Sequence, residues 1–279
     1  MKHRIAWPLL ISTILALSAC GGGGTAQSAP AAGGAAADAP RTITLAVNSI
    51  NAPYSYLNDK DELLGYNSAV LAAIDELLPQ YVFEYAPVSD TSAIQVGTET
   101  GKYQVGVSYY FKNPTREEKF LFPENPYGYS NVVIISRVGE PAINSLAELA
   151  ASDKIQTPQT TSGGIFPILE EYNRANPDKP VKFDTIDVLT IGDSLNMVAD
   201  ERYDVALVNH VPFLLVQKEL NLDTLIAGKP ISHQPFYFLV NKSETQLNAD
   251  ISEAVKKLTD SGVLARYAEE HLGVNVFET

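Results

Sequence analysis

The chain has 279 residues, 45% of them hydrophobic, and a formal net charge of −13. That length and apolar content support one large core or two medium ones, and the acidic balance argues against direct binding to nucleic acid or to an anionic membrane face. A single cysteine, Cys20, excludes an intrachain disulfide framework and any zinc site built on several thiolates.

The N-terminus opens on the basic residues Lys2, His3 and Arg4, followed by a mostly apolar run over 5–17. The run is too short for a stable bilayer span and has the proportions of a secretory signal. It ends in Leu17-Ser18-Ala19-Cys20. That pattern resembles the bacterial lipobox, in which the cysteine is lipidated and becomes the first residue of the mature protein. Residues 1–20 are therefore expected to be a lipoprotein signal peptide ending at lipidated Cys20. The lipid would be the only attachment to a membrane. Residues 21–40 are Gly, Ala, Ser and Pro with the single acid Asp38. Such a composition buries too little surface to offset ordering entropy, and the segment reads as a flexible tether.

The folded part begins at Arg41. Residues 42–47 (T-I-T-L-A-V) predict a strand that ends in a loop rich in turn formers, Asn48 to Tyr54. A hairpin is expected over 57–64. Gly65 to Ser68 then precede an apolar-periodic helix over 69–78, stopped by Pro79. A strand over 82–85, a helix over 91–100 capped near Asp90 and ended by Gly101, and a strand over 105–109 complete an alternating unit. Strand–helix alternation of this kind points to an α/β domain with a mainly parallel sheet. The strand at 105–109 opens into a polar turn at Asn113-Pro114. Arg116 lies just beyond it, followed by the apolar patch Phe120 to Phe122.

After a β-branched run over 131–137 the pattern restarts. A short capped helix is expected over 144–149, strand-like pieces over 154–157 and 181–186, and a polar turn over 160–164. Helices are expected over 165–175 and 193–200, and a strand over 205–209. This is a second α/β unit of ordinary domain size. Residues 231–240 read as a strand, 248–261 as an amphipathic helix and 264–271 as a last short helix. The chain crosses back to the first unit near 229–235. Two lobes joined by two crossings would enclose a cleft, where small ligands bind.

Six segments, taken in order, carry a resemblance. They are A-P-Y-S-Y with L-L-G-Y over 52–66, and G-K-Y-Q, N-P-T-R-E-E-K-F-L-F and P-Y over 101–127. S-L-A-E-L at 145–149, Q-T-T-S at 159–162, E-R-Y-D-V-A-L-V-N at 201–209 and D-S-G-V-L at 260–264 follow. In this order and spacing the chain resembles bacterial extracellular solute-binding proteins of family 3, the amino-acid-binding lipoproteins of ABC importers. The likeness runs from about Thr42 to Phe277. It implies a two-lobed α/β fold of the periplasmic-binding-protein type II class, with lobe one at 41–130 and 232–279 and lobe two at 131–231. It also implies a monomer outside the cytoplasm that hands a small amino-acid-like ligand to an ABC permease and its ATPase, without a cofactor.

Within that resemblance Arg116 is the carboxylate-binding residue, and a guanidinium fork suits a carboxylate chemically. Its bland alternative is a surface arginine paired with Glu117 or Glu118. Thr161 and Ser162, at the start of the 165–175 helix, would be lobe two's grip on the same carboxylate, although simple capping uses the same residue types. Ser108, Tyr109, Phe111 and Asn113 lie around the strand end. Tyr109 and Phe111 stand where the family often has small hydroxyl residues, and Asn113 where it has threonine. Asn209 stands where the family commonly has aspartate, and Asn48 where some relatives carry an acid. Either another acid compensates, with Asp90 the candidate, or the ligand is not an ordinary α-amino acid. Tyr54 and Asn51 of the first loop would cover the ligand side chain.

Other chemistries are set aside. Gly97 to Tyr103 is one residue short of a phosphate loop and lacks its Ser/Thr. His3, His210, His233 and His271 show no paired metal-ligand spacing. A same-scaffold enzyme, such as a dehydratase, would need an acid or base poised in the cleft. A sensory or surface lipoprotein without transport is the third reading.

Overall fold

The computed structural model describes residues 39–161 and 164–278. Cys20, nearly all of the 21–40 segment and Ser162 lie outside the described residues. The elements run β1 (Arg41–Asn48), β2 (Ile50–Asn51), β3 (Ser55–Leu57), β4 (Leu63–Leu64), α1 (Tyr66–Leu77), β5 (Tyr81–Val88), α2 (Thr91–Glu99) and β6 (Val105–Tyr110). Then come α3 (Pro114–Lys119), β7 (Phe120–Leu121), β8 (Gly128–Arg137), α4 (Leu146–Ala151), β9 (Gln159–Thr160), α5 (Phe166–Ala175) and β10 (Thr185–Ile186). The chain ends with α6 (Ile191–Ala199), β11 (Ala206–Asn209), α7 (His210–Leu220), β12 (Leu225–Asn241), α8 (Thr245–Asp260) and α9 (Val263–Leu272). Among the described residues no helix is long and apolar enough to cross a membrane.

A seven-stranded sheet runs β11-β8-β12-β6-β1-β5, with β7 beside β12. The expected parallel pairing holds for β5-β1-β6. From β12 outward it does not: β12 is antiparallel to β6, β7 and β8, and β11 is antiparallel to β8. The sheet is therefore mixed, because β8 and β12 run between the two halves in opposite directions. β12 is 17 residues long and pairs at one end with Arg137 and at the other with Val105. Its register shifts on either side of Pro230. Proline has no N–H for the ladder, so an irregularity there is expected.

β1 is buried from Leu45 to Asn48 because helices cover both faces of the sheet there. Leu45 and Val47 meet α1, α8 and α9 through Val70, Ile74, Leu247, Ile251, Val255, Leu264 and Ala268. Ala46 points the other way, to Ile94 of α2, Phe120 and Leu239. The same alternation runs through the second half. Val133, Ile135, Ala206 and Val208 pack with Leu195 and Phe213 of α6 and α7. Ile134 and Leu207, one residue out of phase, pack with Leu146, Leu149 and Leu169 of α4 and α5. A period of two on each strand thus builds two cores from one sequence run. β8 opens on glycine for a steric reason: a Cβ at Gly128 would lie 2.3 Å from the ring of fully buried Phe236.

Four elements depart from the sequence reading. Residues 113–119 are not only a turn: Pro114 starts the short helix α3, capped by Asn113, whose Oδ1 accepts from Arg116 N at 2.9 Å. Residues 210–220, left without an element, form α7, whose Val-Pro start hides the helical period. The strand expected over 181–186 is confined to Thr185–Ile186, since side chains take the backbone groups before it. Asn173 holds both the N–H and the carbonyl of Val181, and Gln156 donates to the carbonyl of Lys182. The strand at 154–157 likewise shrinks to one bridge, Gln156 to Val205.

Candidate functional site

β6 delivers the first half of the site. Its apolar run buries Val105 and Val107, and its end carries Ser108, Tyr109 and Tyr110 to the carboxyl edge of the parallel strands. A pocket of ≈ 250 Å³ opens there, lined by Asn48, Asn51, Thr91, Gln95, Ser108, Tyr109, Tyr110, Phe111 and Arg116. Five of the expected residues therefore meet in one place: Arg116, Ser108, Tyr109, Phe111 and Asn51.

The Arg116 guanidinium is aimed by its surroundings. Nη1 donates to the carbonyl of Phe111 at 2.9 Å, and the guanidinium carbon lies 5.4 Å from the Tyr110 ring centroid. Among the described residues Arg116 forms no ion pair; the paired cations are Arg41, Lys119, Arg137, Lys154, Lys256 and Lys257. Pairing with Glu117 or Glu118 is thus not what holds it. One N–H is used on a backbone carbonyl, which leaves the rest of a five-donor fork for a ligand.

Two polar groups beside it lack partners. Asn51 Nδ2 and the Tyr110 hydroxyl are buried without a hydrogen bond among the described residues. An orphaned buried donor is costly unless a ligand or water meets it. Burial also pushes the Tyr110 hydroxyl up, well above the ordinary tyrosine range, with Arg116 opposing the rise. Asn48 is buried, and its Oδ1 accepts from Ile50 N at 3.2 Å, which fixes the start of the first loop.

Behind the pocket lies an aromatic stack. Tyr109, 37% exposed, sits 4.8 Å from the Tyr54 ring and 6.1 Å from the edge-on Phe111 ring. Tyr54 itself is buried against Phe236 and does not line the pocket. It supports Tyr109 rather than facing the cavity. Tyr127, fully buried, stacks on Phe238 at 3.9 Å and donates its hydroxyl to the carbonyl of Ser108.

Two expected contacts are engaged elsewhere. Asn113 caps α3 and positions Arg116 through the backbone. Asp90 caps α2, its Oδ1 accepting from Ser92 N at 2.8 Å, and it does not line the pocket. Thr91 and Gln95, not singled out from sequence, do line it. They are polar residues one turn apart on α2, and that spacing was the available signal.

The second half of the site is a cavity of ≈ 100 Å³, lined by Gln159, Thr160, Thr190, Ser194, Asn209 and apolar neighbours. Asn209 ends β11 and starts α7 without capping it; its Oδ1 lies 3.5 Å from Ser130 Oγ. Thr161 is exposed next to this cavity rather than among its lining residues. Asn209 adjoins His210, whose Nδ1 is buried without a partner and whose ring is held below the ordinary histidine range by desolvation. Among the described residues no cluster of His, Cys, Asp and Glu could hold a metal ion.

Residues 43–274 match the model of bacterial extracellular solute-binding proteins, family 3. The chain belongs to this family. Membership places it among solute receptors that work outside the cytoplasm. Among curated proteins it is 25% identical over 274 residues to the L-cystine-binding protein TcyK of Bacillus subtilis, covering 98% of this chain and 97% of that one. It is 27% identical over 221 residues to TcyJ of the same organism, covering 79% and 80%. Among solved structures, the L-cystine solute receptor of Neisseria gonorrhoeae in its unliganded open conformation superposes with a TM-score of 0.71 at 21% identity. That likeness covers 86% of this chain and 96% of the receptor. The fold is thus the two-lobed type II fold of periplasmic binding proteins.

Proposed function

We propose that this solute-binding protein captures a small amino-acid-like ligand between its lobes and delivers it to an ABC importer. The unpaired Arg116 at the carboxyl edge of the parallel strands carries the reading. A cation held ready, with its remaining donors facing a cavity, suits a carboxylate. The relatives TcyK and TcyJ, both L-cystine-binding proteins, support a ligand of amino-acid size. Lobe one comprises 41–130 and 232–279, lobe two 131–231, and β8 and β12 are the hinge strands. The ligand bridges the half-sites and shifts an open–closed equilibrium toward closed. Thr161 and Ser162 close on the carboxylate from the second lobe. Cys20 carries the lipid that keeps the protein, a monomer, at the membrane. Binding, not turnover, is its task, in keeping with a family of solute-binding proteins.

A thermal-shift screen over amino acids, short peptides and cystine tests this. A ligand at 100 times its Kd adds about 2.7 kcal/mol of stability. Replacing Arg116 with alanine should weaken the best ligand by about 3 kcal/mol, roughly 100-fold, as charge-assisted hydrogen bonds are lost. Unchanged affinity in Arg116→Ala would overturn the carboxylate assignment.

A further inference from the structure

Among the described residues the two cavities carry one formal cation, Arg116, and no formal anion. None of the nine residues around the Arg116 cavity is Asp or Glu, and none of the eleven around the Asn209 cavity is. Of the acids next in sequence to lining residues, Asp90 caps α2, Asp193 is bonded within the first turn of α6, and Glu117, beside Arg116, lines neither cavity. Asp90 accepts from Ser92 N, and Asp193 accepts from Thr190 Oγ1 at 2.7 Å. The two residues between Thr161 and Gly164 are serine and glycine. This occurs in a chain whose net charge is −13.

A zwitterionic amino acid needs both charges met when water is expelled. Arg116 meets the carboxylate. An ammonium would face only neutral acceptors, and a buried ammonium without a counter-charge is strongly disfavoured. The groups that are present suit another partner. Asn48, Asn51 and Asn209 each carry a side-chain amide, which can donate and accept. Asn51 Nδ2 is a buried donor with nothing to donate to, and Asn209 is not used as a cap. Donors and acceptors without charge match an amide N–H and its carbonyl. The half-exposed ring of Tyr109 offers a flat apolar face beside them.

We infer that this cleft selects a carboxylate whose neighbouring nitrogen is acylated, as in an N-acyl amino acid or the C-terminal end of a peptide, over a free α-amino acid. Arg116 holds the carboxylate, Asn51 donates to the acyl carbonyl and Asn209 accepts from the amide N–H. This rests on the solute-capture reading above and narrows its ligand class.

The test uses matched pairs: free L-amino acids against their N-acetyl derivatives, with L-cystine against N,N′-diacetyl-L-cystine, titrated calorimetrically at neutral pH. The N-acetyl member of the pair that binds should be at least 10-fold tighter than its free partner. Asn209→Asp should close or reverse that gap by supplying the missing anion, and Asn48→Asp serves if the first variant does not fold. A free amino acid bound as tightly as its N-acetyl form would sink the inference. The aromatic rings would then be supplying the counter-charge, and solute capture would stand. If no member of any pair binds, the carboxylate reading of Arg116 falls and takes this inference with it.

Discussion

At the scale of single residues, position and occupation are separate questions. Arg116 and Asn113 are three residues apart, and sequence alone gives both a place near a ligand. Only Arg116 faces the cavity; the amide of Asn113 is turned back on the Arg116 backbone. Tyr54 and Tyr109 divide in the same way, one buried as support and one partly exposed at the pocket. The hydroxyl of Tyr127 ties the core to the site, since it donates to the carbonyl of Ser108, which lines the cavity. Replacing Tyr127 with phenylalanine leaves that carbonyl without its donor. The expected cost is about 1–2 kcal/mol. For a chain of this size that lowers the melting temperature by roughly 2–4 °C per kcal/mol, which differential scanning calorimetry would show. An unchanged melting temperature would mean that the bond contributes nothing net.

At the scale of elements, the short helix α3 is the decisive piece. Six residues are too few to be stable alone. Pro114 in its first turn and Asn113 as its cap supply what length does not. Removing the cap should therefore act on the ligand through Arg116. Asn113→Ala is expected to cost about 1 kcal/mol of local stability and to weaken ligand binding roughly 5-fold by the same arithmetic. Asn113→Ser or Asn113→Asp should restore both, because either can cap. If the alanine variant loses affinity and the capping variants do not recover it, Asn113 touches the ligand instead. The helix α4 shows the same logic away from the site. Ser145 accepts from Glu148 N, and the Glu148 carboxylate accepts from Asn144 N, a reciprocal cap readable as S-L-A-E.

At the scale of the whole molecule, two partly buried imidazoles contribute to the response to acid. His210 and His233 are both held below the ordinary histidine range by desolvation. His233 stacks on Tyr129 at 3.8 Å and shares a hydrogen bond with Asn131, between the two long strands. With the folded-state values depressed, the unfolded chain binds more protons as pH falls through the ordinary histidine range. Stability is then full above that range and lost below it. The melting temperature should fall between pH 7.5 and 5.5, and the double variant His210→Gln/His233→Gln should flatten that slope. A slope unchanged in the double variant would assign the loss to other groups.

The sequence by itself determined the alternation of elements, the caps at Asp90 and Ser145 and the place of Arg116. Each rests on local chemistry: a period of two or 3.6, a capping side chain, a turn former before an apolar run. It also showed the return of the C-terminal helices, since α8 and α9 carry apolar stripes that need a partner. It could not show α7, where Val211 and Pro212 disguise the period, nor the loss of strand at 181–184. There a side chain from another element, Asn173, competes for the backbone. The tertiary structure alone decided that Asp90 is used only as the cap and does not reach the cavity, that Thr91 and Gln95 do, and that no acid among the described residues lines the cavity with Arg116. Those are facts about which of several possible partners a polar group meets, and that choice is made only when distant segments pack.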